Sequence, residues 1–140
     1  MSIPFGFPIP FVDHLGLTLE TFEGGHSELH YAPQPAHFNS FDVTHGGAVL
    51  TLLDVTLAQA ARSVQAEMGV VTIEMKTSFM RPAKVAAGQK LVARGELQHR
   101  TRSLAFTEGR VYDADGQLCA VATGTFKYVS RQINQVPSTD

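Results

Sequence analysis

Apolar residues recur with a period of two, then wrap continuously, then return to a period of two. Leu15, Leu17 and Leu19 alternate with Gly16, Thr18 and Glu20, and after Gly24 and Gly25 the stretch HSELHYA repeats the alternation. This predicts a β-hairpin. Pro33 and Pro35 end it, and residues 36–44 form a polar loop. Residues 46–67 contain no proline, carry two glycines at the front and are rich in Ala, Leu, Val, Gln and Arg, so a helix is predicted there. Its apolar positions, from Val49 and Leu50 through Leu57 to Val64 and Met68, surround most of the axis, which predicts a buried helix. From Gly69 on, four segments read as strands: VVTIEMKTSF, QKLVARGELQHR, SLAFTEGRVYDA and QLCAVATGTFKYV. The last two are joined by DADG, a good hairpin turn. Two strands, one long helix and four strands predict an α+β fold with an antiparallel sheet curled around a central helix.

At 140 residues with no shift in composition, the chain is expected to form one domain over residues 1–130, followed by a polar tail, 131–140. A net charge of −2 gives no broad attraction to nucleic acid. No apolar run reaches the roughly 20 residues of a bilayer span. The start, MSIPFGFPIPFVDHLG, has no basic leader, and Pro4, Pro8 and Pro10 are expected to exclude a helix there. The single Cys119 rules out an internal disulfide and reads as a small buried residue. A cytoplasmic protein is expected.

Chemistry concentrates in HFNSFDVTHGGAVLTLLDVTLAQAAR, where Asp54 interrupts an apolar helix. A buried carboxylate is costly unless it is paired or used, so Asp54 is either a general base beside a water or a polar group capping backbone or facing a wet seam. The glycines at 46 and 47 open the N-terminus of the predicted helix, where unpaired N–H groups and the helix dipole can hold a developing oxyanion, and the amide of Asn39 is a further donor. His45 is either a general acid or the residue that orients the turn. Thr72 falls in a strand where Val71, Ile73 and Met75 face one way and Thr72, Glu74 and Lys76 the other. The remaining histidines are scattered, and no metal site is expected.

Asn39, His45-Gly46-Gly47, Asp54, MKTSFMRPAK and LAFTEGRVYDADGQLCAVATGTF together resemble the hotdog-fold acyl-CoA thioesterases of the phenylacetic acid degradation type, over roughly residues 15–129. The resemblance implies hydrolysis of an aryl- or fatty-acyl-CoA, with the thioester carbonyl held by Asn39 and Gly46, Asp54 as base or nucleophile, and Thr72 placing the water. Thr72 departs from the Ser expected at that position. Arg81 and Lys84, with Arg100 and Arg102, are candidates for the CoA phosphates, and no cofactor beyond the substrate's own CoA is implied. A hotdog dehydratase or a non-catalytic acyl-CoA sensor are the alternatives. Gly46 and Asp54 are eight residues apart, about 12 Å of helix rise and some 80° of rotation, too far to serve one thioester. A homodimer with shared active sites, or a tetramer built from it, is therefore expected.

Overall fold

The computed structural model describes residues 2–131. Apart from Arg131, the expected polar tail lies outside the described residues. In chain order the elements are α1 (Pro10–Leu15), β1 (Thr18–Glu23), β2 (His26–Tyr31), a 3₁₀ turn (Pro35–His37), α2 (Gly46–Arg62), β3 (Gly69–Phe79), β4 (Leu91–Arg100), β5 (Leu104–Tyr112) and β6 (Leu118–Val129). The strands form one antiparallel sheet in the order β1-β2-β4-β5-β6-β3. Helix α2 packs across its inner face, as the pattern predicts.

The sheet accepts the helix because three strands carry glycine beneath it. A Cβ on Gly95 would lie 2.9 Å from the Thr56 carbonyl oxygen, and one on Gly109 would lie 2.9 Å from Leu57. At Gly124 an added Cβ would lie 3.1 Å from the same leucine. Leu52, Leu53, Thr56, Leu57, Ala60 and Ala61 fill the contact and are fully buried. Burial of the three leucines contributes roughly 1.5–3 kcal/mol each.

Three expectations about the helices are corrected. First, the proline-rich start does form a short helix, α1, because Pro10 takes the first helical position, where its missing N–H costs nothing. Second, α2 stops at Arg62 rather than continuing to residue 67. The Arg62 guanidinium is buried and donates to the carbonyls of Ala66 and Met68 and to Gln59 Oε1, folding 63–68 back as a turn. Third, α2 is buried on one side only: Leu50 is 40% exposed, and Val55 and Ala58 are half-buried.

β3 is an edge strand with a bulge. Thr72 pairs with Phe126 and Glu74 with Thr125, leaving Ile73 as an extra residue. Phe126 and Gly124 face the helix and are buried, so their partners Thr72 and Met75 face it too. Glu74 and Lys76, opposite Thr125 and Thr123, face outward. The expected grouping of Thr72 with Glu74 and Lys76 is therefore wrong, because the bulge resets the alternation. Among the described residues, no helix is long and apolar enough to cross a membrane.

Candidate active site

The loop before α2 is built around Asn39. Its side-chain Oδ1 accepts from the backbone N–H of Phe41 at 2.9 Å and of Val43 at 3.3 Å, and its own N–H donates to the Val43 carbonyl at 2.8 Å. Asp42 takes a left-handed conformation, φ 58°, to close this turn. With Oδ1 occupied, the Asn39 side chain has only its amide N–H groups to offer. The loop is tied down by His37. Its ring Nδ1 lies 2.7 Å from the hydroxyl of buried Tyr31, and its carbonyl accepts from His45 N–H. Burial pushes the Tyr31 phenol up to about 12.

His45 caps the helix: its Nδ1 accepts from Gly47 N–H at 2.8 Å. The ring thus holds the turn, with its nitrogen as the acceptor. His45 is exposed, and its cap leaves Gly46 N–H with no intramolecular acceptor among the described residues. A Cβ at Gly46 would lie 3.7 Å from the Phe79 ring, so the glycine keeps the approach to that N–H narrow but open.

Asn39 and Gly46 line one cavity of about 640 Å³, walled by Phe41, Val49, Phe79, Met80, Cys119 and Ala120, with Arg81 also on its wall. Sequence reasoning missed the aromatic and Met walls; the one available signal was the apolar pair at the end of MKTSFM. Cys119 is buried with its thiol pushed up by desolvation, consistent with a packing role.

Asp54 and Thr72 form a second pair. The Thr72 hydroxyl donates to Asp54 Oδ1 at 2.7 Å, which is possible because the bulge turns Thr72 inward. Neither residue lines the cavity that holds Asn39 and Gly46. The chain thus keeps apart two groups, the Asn39 and Gly46 donors at the start of α2 and the carboxylate–hydroxyl pair about two turns along it.

The four cationic candidates divide as well. Arg81 and Lys84 follow the end of β3, beside the start of β6. Arg100 and Arg102 lie at the β4–β5 turn, at the other end of the sheet. Arg100 donates to Gln65 Oε1 at 2.8 Å and sits 4.7 Å from the Tyr128 ring centroid, so part of its bonding capacity is structural. Lys84 and Arg102 are exposed. Among the described residues no group of three or more His, Cys, Asp or Glu is arranged to hold a metal ion.

Residues 41–120 match the thioesterase superfamily, and the chain belongs to that family. A solved thioesterase family protein from Silicibacter pomeroyi is 28% identical, with a TM-score of 0.79 over 88% of this chain and 91% of its own. The E. coli PaaI protein, from the phenylacetic acid degradation operon, superposes with a TM-score of 0.79 over 87% of this chain and 86% of its own at 19% identity, a likeness of fold. The medium/long-chain acyl-CoA thioesterase YigI of Salmonella typhimurium is 24% identical over 87% of each chain. The fold is the hotdog fold expected from the sequence.

Proposed function

We propose that this protein is a cytoplasmic acyl-CoA thioesterase that hydrolyses an aryl- or medium-chain fatty-acyl-CoA to the free acid and CoA. The observation that carries the reading is the Thr72–Asp54 hydrogen bond at 2.7 Å on the same helix whose N-terminus offers unpaired donors to a cavity. A carboxylate with one oxygen bonded to Thr72 keeps the other free to take a proton from water. Attack of that water on the thioester carbonyl places negative charge on oxygen, where Asn39 Nδ2 and Gly46 N–H stabilise it. Collapse of the tetrahedral intermediate expels the CoA thiolate, which takes up a proton.

The two half-sites complete each other in a homodimer with antiparallel helices, where Asp54 and Thr72 of one protomer face Asn39 and Gly46 of its partner. The same arrangement brings Arg81 and Lys84 to the end of the sheet at which the partner's Arg100 and the partner's Arg102 lie, so the phosphate-binding cations come from both chains. A tetramer would repeat this dimer. A dehydratase needs a His paired with an acid at the reacting carbon. His45 is occupied as a helix cap and forms no hydrogen bond with Asp54, which favours hydrolysis.

The test is thiol release from a panel of acyl-CoA thioesters that includes phenylacetyl, hydroxyphenylacetyl and C6–C14 fatty acyl groups. Turnover of one class well above the others supports the reading and names the substrate. Tight binding with no thiol release across the panel would replace it with a sensor.

A further inference from the structure

The loop that carries Asn39 is fastened at each end by a histidine. Its stem is closed by backbone bonds, His45 N–H to the His37 carbonyl at 2.8 Å and Asn39 N–H to the Val43 carbonyl at 2.8 Å, with a bridge between Phe38 and Thr44. At one end the His37 ring Nδ1 lies 3.0 Å from the Gln34 backbone nitrogen and 2.7 Å from the Tyr31 hydroxyl. At the other the His45 ring Nδ1 lies 2.8 Å from the Gly47 nitrogen. We infer that His37, anchored by Tyr31, and His45 are the positioning residues of the Asn39 and Gly46 donors, and that they hold those donors only while both rings are neutral. This rests on the reading of Asn39 and Gly46 as the carbonyl clamp, and deepens it by naming what sets their relative position and when that setting fails.

The protonation states follow from the partners. A backbone N–H can only donate, so the ring nitrogen it meets must carry a lone pair. Gln34 N–H therefore fixes His37, and Gly47 N–H fixes His45, as neutral rings with the proton on Nε2. With Nδ1 of His37 an acceptor, the Tyr31 hydroxyl must donate to it. Burial on β2 keeps that phenol protonated, its pKa pushed up to about 12. The donor is thus present across the whole range in which histidine changes charge.

Loss of neutrality undoes both fastenings. A proton on Nδ1 sets N–H against N–H at each ring, and among the described residues no carboxylate forms an ion pair with either histidine. The titratable groups against His37 are His14 of α1, edge-on at 6.4 Å between ring centroids, and Tyr31 of β2 at 5.7 Å. A positive charge on His14 would add repulsion. His45 stands at the N-terminus of α2, where the helix dipole opposes a positive ring. Once the ends are released, Asn39 and Gly46 move independently, and displacement by about 1 Å is enough to cost on the order of 10² in rate. Neither ring exchanges a proton with the substrate in the proposed mechanism, so the requirement is one of position.

The test separates position from chemistry. His37→Ala is expected to lower kcat about tenfold with KM nearly unchanged. His37→Asn should recover most of that loss, because an amide Oδ1 near the place of Nδ1 accepts without titrating. As the pH falls from about 8 to about 5, wild-type kcat should drop along a limb that the double variant His37→Asn/His45→Asn largely lacks. Asp54 is common to both proteins, so any share it has in that limb cancels in the comparison. Proton–nitrogen correlation spectra at the upper end of the range should show both rings protonated on Nε2 alone. An Nδ1–H tautomer in either ring would overturn the inference. So would acid limbs that superimpose, His37→Ala at wild-type kcat, or His37→Asn no better than His37→Ala. If no acyl-CoA is hydrolysed, the enzymatic reading falls and the Gly47 amide resonance decides. It should shift on acidification in the wild type and stay in place in His45→Asn, and an equal shift in both would overturn the fastening.

Discussion

The Thr72 hydroxyl and the Asp54 carboxylate meet at 2.7 Å, the one side-chain hydrogen bond by which the edge strand holds the exposed flank of the central helix. It fixes the carboxylate's rotamer and, among the described residues, leaves the other oxygen without a hydrogen bond, free for the proton transfer proposed above. Thr72→Val keeps the shape and removes the donor, and is expected to lower kcat about tenfold with KM nearly unchanged. Thr72→Ser should keep most of the activity. Steady-state kinetics on the two variants checks this, and a Val variant at wild-type kcat would reduce Thr72 to a strand residue.

Asp54→Asn retains size and hydrogen bonding but cannot accept a proton from water. Its kcat is expected to fall about a hundredfold or more, with the thermal transition within a few degrees of wild type. Retention of more than half the turnover would take Asp54 out of the mechanism.

Asn39 serves two purposes with two ends of one amide. Its Oδ1 closes the loop onto Phe41 and Val43, and in the proposed mechanism its Nδ2 holds the thioester oxygen. Asn39→Asp keeps the loop bonds and replaces the donor by a negative charge. It should therefore depress kcat by about 10² to 10³ while the loop stays ordered by amide exchange. A pure rise in KM would contradict the clamp.

Mixing Asn39→Ala with Asp54→Asn, unfolding and refolding them together, tests whether sites are shared. Random pairing makes about half of the dimers mixed, each with one of two sites intact, so about a quarter of wild-type activity should return. A mixture as inactive as its parents would place each site within one chain.

Much of this architecture was legible because it is periodic. The alternation before Gly24 and after Gly25, the proline-free run from Gly46 and the DADG turn, where Gly116 takes a φ of 79°, are local signals that packing reinforces. Asn39, Gly46 and Asp54 stand out in the sequence as candidates, and the structure sets the first two on one cavity. What escaped depends on non-local contacts. The end of α2 is set by Arg62 capturing carbonyls four and six residues on, whereas composition alone favours more helix. The bulge at Ile73 is a mismatch between β3 and β6, invisible in either strand separately, and it reverses the facing of every residue after it. The cationic candidates looked like one group because turn charges carry no sign of which end of a sheet they occupy.

A fifth expectation concerns stability. Gly95→Ala would bring a methyl to 2.7 Å from Ser27 Oγ and 2.9 Å from the Thr56 carbonyl oxygen, the latter being helix backbone. The helix must lift or the strand bend, at a cost of about 1–3 kcal/mol. Denaturant unfolding measures it, and a variant as stable as wild type would show that the helix is not seated on this glycine.

The glycine seat divides the labour of the fold in a way that bears on adaptability. α2 is gripped from below through Leu53, Thr56 and Leu57 by Gly95, Gly109 and Gly124, on β4, β5 and β6. Most of the cavity wall comes from elsewhere: beside Gly46 and Val49 at the start of α2 stand the 39–44 loop, the residues at and after the end of β3, and the start of β6. Exchanges at Phe41, Val43 or Met80 can therefore reshape the chamber without tilting the helix that carries Asp54. A lineage, or an engineer, can change the shape of the chamber and leave Asp54 where it stands.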